Sequence, residues 1–378
     1  MTAQPLLAEP IDPASVRTEV SAVLSRFLAC KADMALGQET PAGTIEILNG
    51  FLSAGGKRLR LLLCVTGRYA AEDRGDIAPV LQAAASLEMV HAFALIHDDI
   101  MDNSATRRSH PTVRRTLARH HAGGRSTTAA EHLSLGAAIL IGDLALAWSD
   151  ELLHSTGLSA LQLIRVLPLI DAMRTGVMYG QHLDLSVTGA PTNDLDRVLA
   201  ITRYKTAKYT IERPLRIGAT PAGADDALRQ ALTAYATHGA AFLLRDDLLG
   251  VHGNSEETGK PCLDDLCDGK HTVLIAPGLQ HATMDQRHTL RILVGSPTLD
   301  EDDGACVRGV LTATGAQDVV EQLIRTRHEQ ALCALTQAAL PPTATAACGS
   351  TSPASVSSLV QKPAPAAPGT HHDQALGC

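Results

Sequence analysis

The strongest constraint in this sequence is a series of long segments whose apolar residues recur every three or four positions. The segment APVLQAAASLEMVHAFALIHDDIMD (78–102) is apolar on most sides of a helix, as a buried central helix would be. Three further segments follow the same helical pattern: 130–153, 164–187 and 227–251. Continuous β-branched runs with two-residue alternation, the pattern of strands, are missing. The sequence therefore predicts an all-α fold.

The composition agrees with a globular helical protein. Of the 378 residues, 45% are hydrophobic, 19% are charged and only 3% are aromatic. The net charge of −8 gives no global attraction to nucleic acid or to an anionic membrane, so an anion would have to be bound by local basic residues or by metal. We therefore expect neither nucleic acid as a partner nor a surface that binds anionic lipid.

The cysteines and the N-terminus predict the compartment. None of the eight cysteines forms a C-x-x-C pair, and we interpret them as free thiols in a reducing environment. The N-terminus has no basic segment followed by an apolar run, and no uninterrupted apolar stretch reaches the ~20 residues of a membrane span. We expect a cytoplasmic protein without a membrane span.

The chain divides into three parts by composition. Residues 1–15 are predicted to be a flexible arm, and residues 16–340 a single domain of helices separated by Gly/Pro clusters. Residues 341–378 are rich in Pro, Ala, Ser and Thr and are predicted to be a disordered tail. The His371–His372 pair in this tail is not expected to bind metal.

The stretch HDDIMDNSATRR, residues 97–108, places three aspartates next to two arginines. On a helix, Asp98 and Asp102 are i,i+4 neighbours with Cβ atoms about 5–6 Å apart, and Asp99 lies beside them. Carboxylates crowded in this way repel one another unless cations lie between them, and Mg²⁺ prefers such oxygen ligands together with phosphate oxygens. Arg107 and Arg108 could then hold diphosphate oxygens. Taken alone, the stretch is equally well explained as an exposed helix end whose charges cancel.

A second acidic pair favours the metal site. Asp246 and Asp247 lie in the strongly apolar segment FLLRDDLLGV, where acids are costly to bury without a partner. Two acidic pairs on two buried helices indicate facing carboxylates that share metal ions. Several basic residues and a third acidic pair lie elsewhere in the sequence: Lys57, Arg58, Arg60, Lys205, Lys208, Lys260, Asp264, Asp265 and Lys270. The positive charge exceeds what one diphosphate needs and fits two.

Seven of these segments occur in the order of a known family. The segments are GGKRLR, HAFALIHDDIMDNSATRR, GQHLDL, RYKTAKYTIERPL, RDDLLG, TGKP and DLCDGKHT, and the resemblance they carry covers roughly residues 20–340. The chain resembles the trans-isoprenyl diphosphate synthases of the polyprenyl synthetase family, most closely the bacterial geranylgeranyl and farnesyl diphosphate synthases. The resemblance implies a single bundle of mostly antiparallel helices around a central cavity, the isoprenoid synthase type I fold, in a homodimer.

The resemblance also implies a reaction and its ligands. Isopentenyl diphosphate would be joined to an allylic diphosphate (dimethylallyl, geranyl or farnesyl diphosphate) with the help of Mg²⁺, three ions per active site. The implied metal ligands are Asp98, Asp99, Asp102, Asp246, Asp247 and Asp265. The implied contacts of the allylic diphosphate are Arg107, Lys205 and Lys260, with Lys270 nearby. The implied contacts of isopentenyl diphosphate are Lys57, Arg60, His91 and Arg108. Further cavity residues are Gln181, Thr206 and the supporting acid Asp184.

Two of these positions also have an ordinary structural explanation. A histidine on an apolar helix is usually a satisfied core residue, but His91 lies seven residues before Asp98 and hence on the same helical face. Phe93 and Ala94 precede Asp98 by five and four residues, where the family forms the floor of its product tunnel. An aromatic residue followed by a small one resembles synthases that stop at twenty carbons. If Phe93 is only a core residue, a C15 farnesyl product remains open.

Departures from the family pattern leave two rival functions. Leu243 and Asn254 replace the more common glutamine and aspartate, and Gly250 stands where many relatives have a third aspartate. The segment NSEE (254–257) faintly resembles a metal motif of class I terpene cyclases, yet a cyclase does not need the isopentenyl diphosphate contacts, which are all present. A non-catalytic subunit would have lost acids of the first motif, and none is lost.

Overall fold

The computed structural model describes residues 12–36, 41, 43–73, 75–108, 110–123, 125–188, 192–239, 241–253, 263–267, 269, 273–296 and 298–337. Within these residues the chain is almost entirely helical, which confirms the predicted all-α fold. The first seven α-helices are α1 Pro13–Ala35, α2 Thr44–Ser53, α3 Leu59–Ala70, α4 Ala78–Met101, α5 Val113–His121, α6 Thr127–His154 and α7 Ala160–Leu185. Two short strands, β1 Thr106–Arg107 and β2 His110–Pro111, pair antiparallel between α4 and α5.

The second half of the chain adds a π-helix and shorter α-helices. The π-helix, Arg203–Glu212, lies between α8 Leu195–Thr202 and α9 Arg213–Ala219. The remaining helices of the described residues are α10 Asp226–Gly239, α11 Ala241–His252, α12 Asp264–Cys267, α13 Ile275–His281, α14 Met284–Leu293, α15 Glu301–Ala313 and α16 Ala316–Gln337. A π-helix is rare and is found mostly at functional sites.

Helix α4 forms the centre of the N-terminal half, as its apolar pattern predicts. Its side chains Leu87, Met89 and Ile96 are fully buried in a core that α1, α3 and α6 complete. Glu88 and Asp99 are buried on the same helix. Since burial of an acid is costly without compensation, these two residues mark the polar part of an otherwise apolar helix.

Two glycines allow α3 and α9 to cross with their backbones in contact. A Cβ atom on Gly67 would overlap the carbonyl oxygen of Leu215, and one on Gly218 would overlap the carbonyl oxygen of Cys64. This crossing fixes α9, and with it the preceding π-helix, against the helix that follows the Gly55–Gly56 turn. A third glycine, Gly180 of α7, lies against the backbone of Lys205 and brings α7 close to the π-helix.

The C-terminal helices have a core of their own. Leu244, Leu248 and Val251 of α11 pack with Val320 and Ile324 of α16 in an apolar cluster that α12 to α15 complete. Of the predicted parts of the chain, residues 1–11 of the arm and the whole tail (341–378) lie outside the described residues. Helix α1 begins at Pro13, where the side chain of Asp12 accepts hydrogen bonds from the backbone N–H groups of Ala14 and Ser15.

Two described helices, α4 and α6, are long and apolar enough by length and composition to cross a membrane. The apolar window of α4 is 67% buried inside the protein, whereas that of α6 is 33% buried. Burial accounts for α4 as a core helix. Packing within the described part of the chain leaves most of the apolar window of α6 exposed.

Candidate active site

The first acidic motif lies at the C-terminal end of α4. The backbone N–H of Asp102 donates to the carbonyl oxygen of Asp98 (2.9 Å), so the helix ends within the motif. Arg107, on β1, bridges the first two acids: its Nε donates to Asp99 Oδ1 (2.6 Å) and its Nη2 to Asp98 Oδ2 (3.0 Å). Asp102 is exposed. The strand pair therefore serves to place an arginine across the two carboxylates.

Asp99 is the most deeply buried acid of the motif, with 2% of its side chain exposed. Burial raises the pKa of Asp99 to about 6, although the charge and the hydrogen bond of Arg107 oppose the rise. Its second oxygen, Oδ2, is buried without a hydrogen-bond partner among the described residues. A buried carboxylate oxygen without a partner is costly, and a Mg²⁺ ion, which takes oxygen ligands, suits this position.

Lys205 reaches the same motif from the π-helix. Its Nζ lies 2.6 Å from Asp184 Oδ2 on α7 and 3.1 Å from Asp98 Oδ1. Burial lowers the pKa of Lys205, but the charges of Asp98 and Asp184 outweigh burial and raise it overall. Lys205 is therefore a fixed cation. Asp98 is held by two cations, Arg107 and Lys205, from two different elements.

A cavity of about 350 Å³ opens beside this cluster, which is within the usual range for sites of small organic ligands. Asp98 and Lys205 lie on its wall, together with Phe93 and Ala94 one helical turn below. Gln181 also lines the cavity, and its Nε2 lies 3.7 Å from the sulfur of Met101. Most of the remaining wall is apolar: Leu95, Met101, Val177, Met178 and Leu185. The cavity thus combines charged groups at one end with an apolar body.

A second polar cluster forms another part of the cavity wall. The guanidinium of Arg60 donates to Thr210 Oγ1 (2.7 Å) and lies 4.2 Å from the ring centroid of Tyr209. The hydroxyl of Tyr209 lies 3.5 Å from Nδ1 of His91. Burial, followed by the nearby positive charge of Arg60, lowers the pKa of His91 well below its usual value. His91 is therefore a neutral imidazole at pH 7, and it lines the cavity together with Asp98.

Three residues of this cluster were not singled out from the sequence: Tyr209, Thr210 and Glu88. Glu88 Oε1 is buried without a hydrogen-bond partner among the described residues, and burial raises the pKa of its carboxyl while Arg60 lowers it. For Glu88 the sequence did offer a signal, because a glutamate on an apolar helix, three residues before His91, could have been predicted to lie near the site. Tyr209 and Thr210 offered none, because only the fold shows that Tyr209 lines the cavity and that Thr210 accepts a hydrogen bond from Arg60.

Three further basic residues lie at the Gly55–Gly56 turn: Lys57 and Arg58 of the GGKRLR segment, and Arg108 from the segment after α4. Arg108 Nη1 donates to the carbonyl oxygen of Gly55, and its guanidinium fills the space where a Cβ of Gly56 would lie. Lys57 is exposed in the same turn. Arg58 instead donates to Ser21 Oγ and to the Leu52 carbonyl oxygen (2.8 Å), so it fixes the turn. Arg60 and Arg108 thus lie close enough for their charges to interact, and the cavity wall includes Arg60.

The second acidic motif lies on α11. Arg245, which precedes it, forms a two-pronged ion pair with Glu321 of α16, with N–O distances of 2.5 and 2.7 Å. Asp247 is among the described residues, whereas the side chains of Thr206, Asp246 and Asp265 are not, and Lys260 and Lys270 lie outside the described residues altogether. Among the described residues, no group of three or more His, Cys, Asp or Glu side chains is close enough to hold a metal ion.

The sequence pattern of the family described as Polyprenyl synthetase matches residues 43–308. The chain is 32% identical over 287 residues to a geranylfarnesyl diphosphate synthase of Aeropyrum pernix, covering 74% of this chain and 83% of that one. It is 31% identical over 266 residues to a (2E,6E)-farnesyl diphosphate synthase of Mycobacterium tuberculosis, covering 69% and 68%.

Among solved structures, the chain is similar to a geranylgeranyl pyrophosphate synthase from Corynebacterium glutamicum complexed with isoprenyl diphosphate and magnesium. The TM-score is 0.85 and the identity 36%, and the match covers 93% of this chain and 99% of that one. The fold, the ordered motifs and the cavity agree with these similarities. The chain therefore belongs to the polyprenyl synthetase family and is a prenyltransferase.

Proposed function

We propose that the chain joins isopentenyl diphosphate head to tail to an allylic diphosphate and releases geranylgeranyl diphosphate, a C20 trans-prenyl diphosphate. The observation that carries the proposal is the pair of separate polar clusters on one apolar cavity. Asp98 with Lys205 lies on one part of the wall, and Arg60 with His91 lies on another. Two diphosphates need two such clusters, and an apolar cavity suits a prenyl chain.

In this proposal the first cluster receives the allylic substrate. Bound Mg²⁺, three ions per site, would stabilise negative charge on the leaving diphosphate. The ions would be held by Asp98, Asp99, Asp102, Asp246, Asp247 and Asp265. Arg107, Lys205 and Lys260, with Lys270 nearby, would bind the same diphosphate, because guanidinium and ammonium groups complement its oxygens. Asp184 positions Lys205, since its Oδ2 lies 2.6 Å from the ammonium.

The second cluster receives isopentenyl diphosphate. Lys57, Arg60, His91 and Arg108 would bind its diphosphate, and neutral His91 can donate one hydrogen bond without adding charge. Departure of the allylic diphosphate leaves a carbocation, which the double bond of isopentenyl diphosphate attacks, and loss of a proton then restores a double bond. Gln181 and Thr206 would border the reacting carbons. The apolar wall excludes water, which would otherwise capture the cation.

The C20 product rests on Phe93 and Ala94. Both line the cavity below Asp98. The ring centroids of Phe93 and His97 are 4.8 Å apart, and the two packed rings limit the width of the cavity at that depth. The named relatives include C15, C20 and C25 synthases and therefore do not decide the product. A C15 farnesyl product is the alternative, if the growing chain stops before it reaches Phe93.

We also propose a cytoplasmic homodimer that pairs through α6 and α7. Large apolar side chains are exposed on both helices, among them Leu140 (63%) and Ile164 (66%). Exposed apolar side chains mark a protein or membrane contact where they lie together in one patch, and the proposed dimer requires that they do. The carboxylates of Asp143 and Asp150 are also exposed on α6 (57% and 42%), and charges of this kind disfavour a lipid environment. Light scattering after size exclusion tests the dimer, which Leu140→Glu should weaken.

Product analysis tests the proposed reaction. The purified protein is incubated with Mg²⁺, isopentenyl diphosphate and each of dimethylallyl, geranyl and farnesyl diphosphate, and the dephosphorylated alcohols are identified by gas chromatography. Geranylgeraniol is the expected product. Farnesol as the end product would contradict the C20 assignment, and a cyclic hydrocarbon formed without isopentenyl diphosphate would indicate a cyclase. An Asp98→Asn preparation, handled in parallel, excludes a contaminating synthase.

A second product analysis tests the role of Phe93. Phe93→Ala removes a ring from the cavity wall and should lengthen the main product by at least one five-carbon unit. Phe51→Ala provides a matched control, because Phe51 packs against the core cluster and is not among the residues of the cavity wall. An unchanged product from Phe93→Ala would refute the assigned tunnel floor.

A further inference from the structure

A second cavity lies behind the π-helix, away from the catalytic cavity. Its volume is about 410 Å³, and it is bounded by α8, the π-helix, α10, α11 and α16. No described residue lines both cavities. Lys205 of the π-helix faces the catalytic cavity, whereas Arg203 and Lys208 of the same helix face the second one. The π-helix therefore forms a common wall between two separate cavities.

Three cations line this second cavity: Arg203, Lys208 and Arg327 of α16. Burial and the nearby charge of Arg203 lower the pKa of Arg327. The ammonium of Lys208 lies 5.1 Å from the ring centroid of Tyr204. Within the described part of the chain, none of the three cations forms an ion pair with a carboxylate. Like charges held together in a partly enclosed space repel one another, and a bound anion would relieve the repulsion.

The acids of the cavity do not supply that anion. Glu212 is buried, and its Oε1 already lies 3.4 Å from Arg213 and 3.3 Å from Arg216. Asp196 is exposed in the first turn of α8. A ligand with more negative charge than either carboxylate, such as a phosphate monoester, would therefore complement the three cations.

The wall also has an apolar part, beside Thr202, Tyr204 and Thr237. Five aliphatic residues line the cavity, and three of them are buried (Ala207, Ala236 and Leu244); the other two are Leu199 and Ala200. An inorganic ion would leave this surface unused, whereas a short hydrocarbon chain would cover it. The volume lies within the range of small-molecule sites. The ligand that fits this cavity has a phosphate head and a short apolar body.

We propose that the cavity behind the π-helix binds a small organophosphate with an apolar chain, held by Arg203, Lys208 and Arg327. This site is separate from the proposed catalytic one, and the inference does not depend on the proposed reaction. Binding would bridge α8, the π-helix and α16. Because Lys205 lies on that π-helix, an occupied site would also restrain the backbone that carries a catalytic side chain.

Titration of the full chain with n-octyl phosphate tests the proposal. The titration is followed by isothermal calorimetry in EDTA, so that no metal ion assists binding in the catalytic cavity. The double variant Arg203→Gln/Arg327→Gln should weaken binding by about tenfold or more, as expected for losing charge-assisted hydrogen bonds. Arg325→Gln is the matched control, because Arg325 is exposed on the same helix and outside the cavity lining. Its affinity should equal that of the wild type.

Two further arms identify the site and the ligand class. Arg107→Gln alters the catalytic cluster and should leave octyl phosphate binding unchanged. Loss of binding in that variant would place the ligand in the catalytic cavity and overturn the proposal. Inorganic phosphate should bind at least tenfold more weakly than octyl phosphate, because it cannot cover the apolar wall. Equal affinities, or no saturable binding to the wild type, would also overturn it. If the double variant does not fold, the single variant Arg203→Gln replaces it in the titration, because Arg203 is exposed and its substitution should not disturb the core. It should also weaken the binding of octyl phosphate.

Discussion

The two acidic motifs are held in place in different ways. Asp98 and Asp99 of the first motif are contacted directly by Arg107, and Asp98 also by Lys205. These ion pairs act on carboxylates of the motif itself. The second motif follows Arg245, whose ion pair with Glu321 joins α11 to α16 and so fixes the helix that carries the motif.

The helices that carry the two motifs also differ in how far they are buried. Helix α4 is buried on most sides, and even Asp99 lies within it. Helix α11 packs one face, which includes Leu244, Leu248 and Val251, into the C-terminal core. A substitution in the first motif therefore changes charge within the proposed site, whereas a substitution at the Arg245–Glu321 pair acts on the position of a helix.

The largest effect is expected from Asp98→Asn. The substitution keeps the size of the side chain but removes the negative charge between Arg107 and Lys205, together with a proposed metal ligand. Turnover should fall by roughly three orders of magnitude or more, since metal-ligating carboxylates stabilise the transition state directly. Steady-state rates with isopentenyl and farnesyl diphosphate measure the loss. Circular dichroism should show an unchanged helix content, and a variant with near-normal rate would refute the metal assignment.

A smaller, substrate-selective effect is expected from Arg107→Lys. Lysine keeps the charge but cannot bond Asp98 and Asp99 at once while presenting a planar fork to a diphosphate. The KM for the allylic diphosphate should rise by about tenfold or more. Arg108→Lys is the matched variant next to it, and it should raise the KM for isopentenyl diphosphate instead. A rise in the KM for the same substrate in both variants would contradict the assignment of the two arginines to two clusters.

These contrasts also show what the sequence could and could not predict. Helical spacing predicted α4 because apolar residues occupy most positions from residue 80 to 96, and the packing follows that pattern. Two acids spaced at i,i+4 near a helix end predicted the first motif. The ordered family motifs predicted Lys205, which the structure brings to 3.1 Å from Asp98.

Other features depend on contacts between distant segments and could not be predicted. The Arg245–Glu321 pair joins residues 76 positions apart, and neither residue type is unusual on a helix surface. The two short strands that aim Arg107 at Asp98 have no alternating pattern, because two residues are too few to show one. The π-helix spans ten residues whose sequence pattern does not differ from that of an α-helix. Its wider turn depends on the helices packed around it rather than on its composition.

A moderate loss of stability is expected from Glu321→Gln. The two-pronged ion pair with Arg245 is partly exposed, so its loss should lower the free energy of unfolding by only about 1 kcal/mol. The hydrogen bonds from Arg245, more than its charge, lower the pKa of Glu321. This stabilisation is therefore present above the ordinary carboxyl pKa of about 4.3 and is lost as the pH falls through the lowered value in the folded protein. Urea unfolding of the wild type and of Glu321→Gln measures the loss of stability at pH 7 and its disappearance below pH 4.

Glu321→Gln should also weaken the apparent affinity for Mg²⁺. A displaced α11 should raise the Mg²⁺ concentration needed for half-maximal rate and leave the KM for isopentenyl diphosphate unchanged. Glu301→Gln is the control, because Glu301 pairs with Arg308 at the exposed start of α15, away from both motifs. An equal loss of stability in the two variants would show that the Arg245–Glu321 pair is an ordinary surface pair.

The smallest effect is expected from Tyr209→Phe, which removes one hydroxyl and keeps the ring under Arg60. If the hydroxyl donates to His91 Nδ1, the proton of the neutral imidazole must lie on Nε2, which can then donate to a substrate. Without the hydroxyl, either ring nitrogen can carry the proton, and the KM for isopentenyl diphosphate should rise by about threefold, as expected for one weak neutral hydrogen bond. The KM for the allylic substrate should not change. His91→Gln should reduce the effect of Tyr209→Phe to nothing, because the hydroxyl acts only through the imidazole; additive effects of the two substitutions would show that Tyr209 contacts the substrate itself.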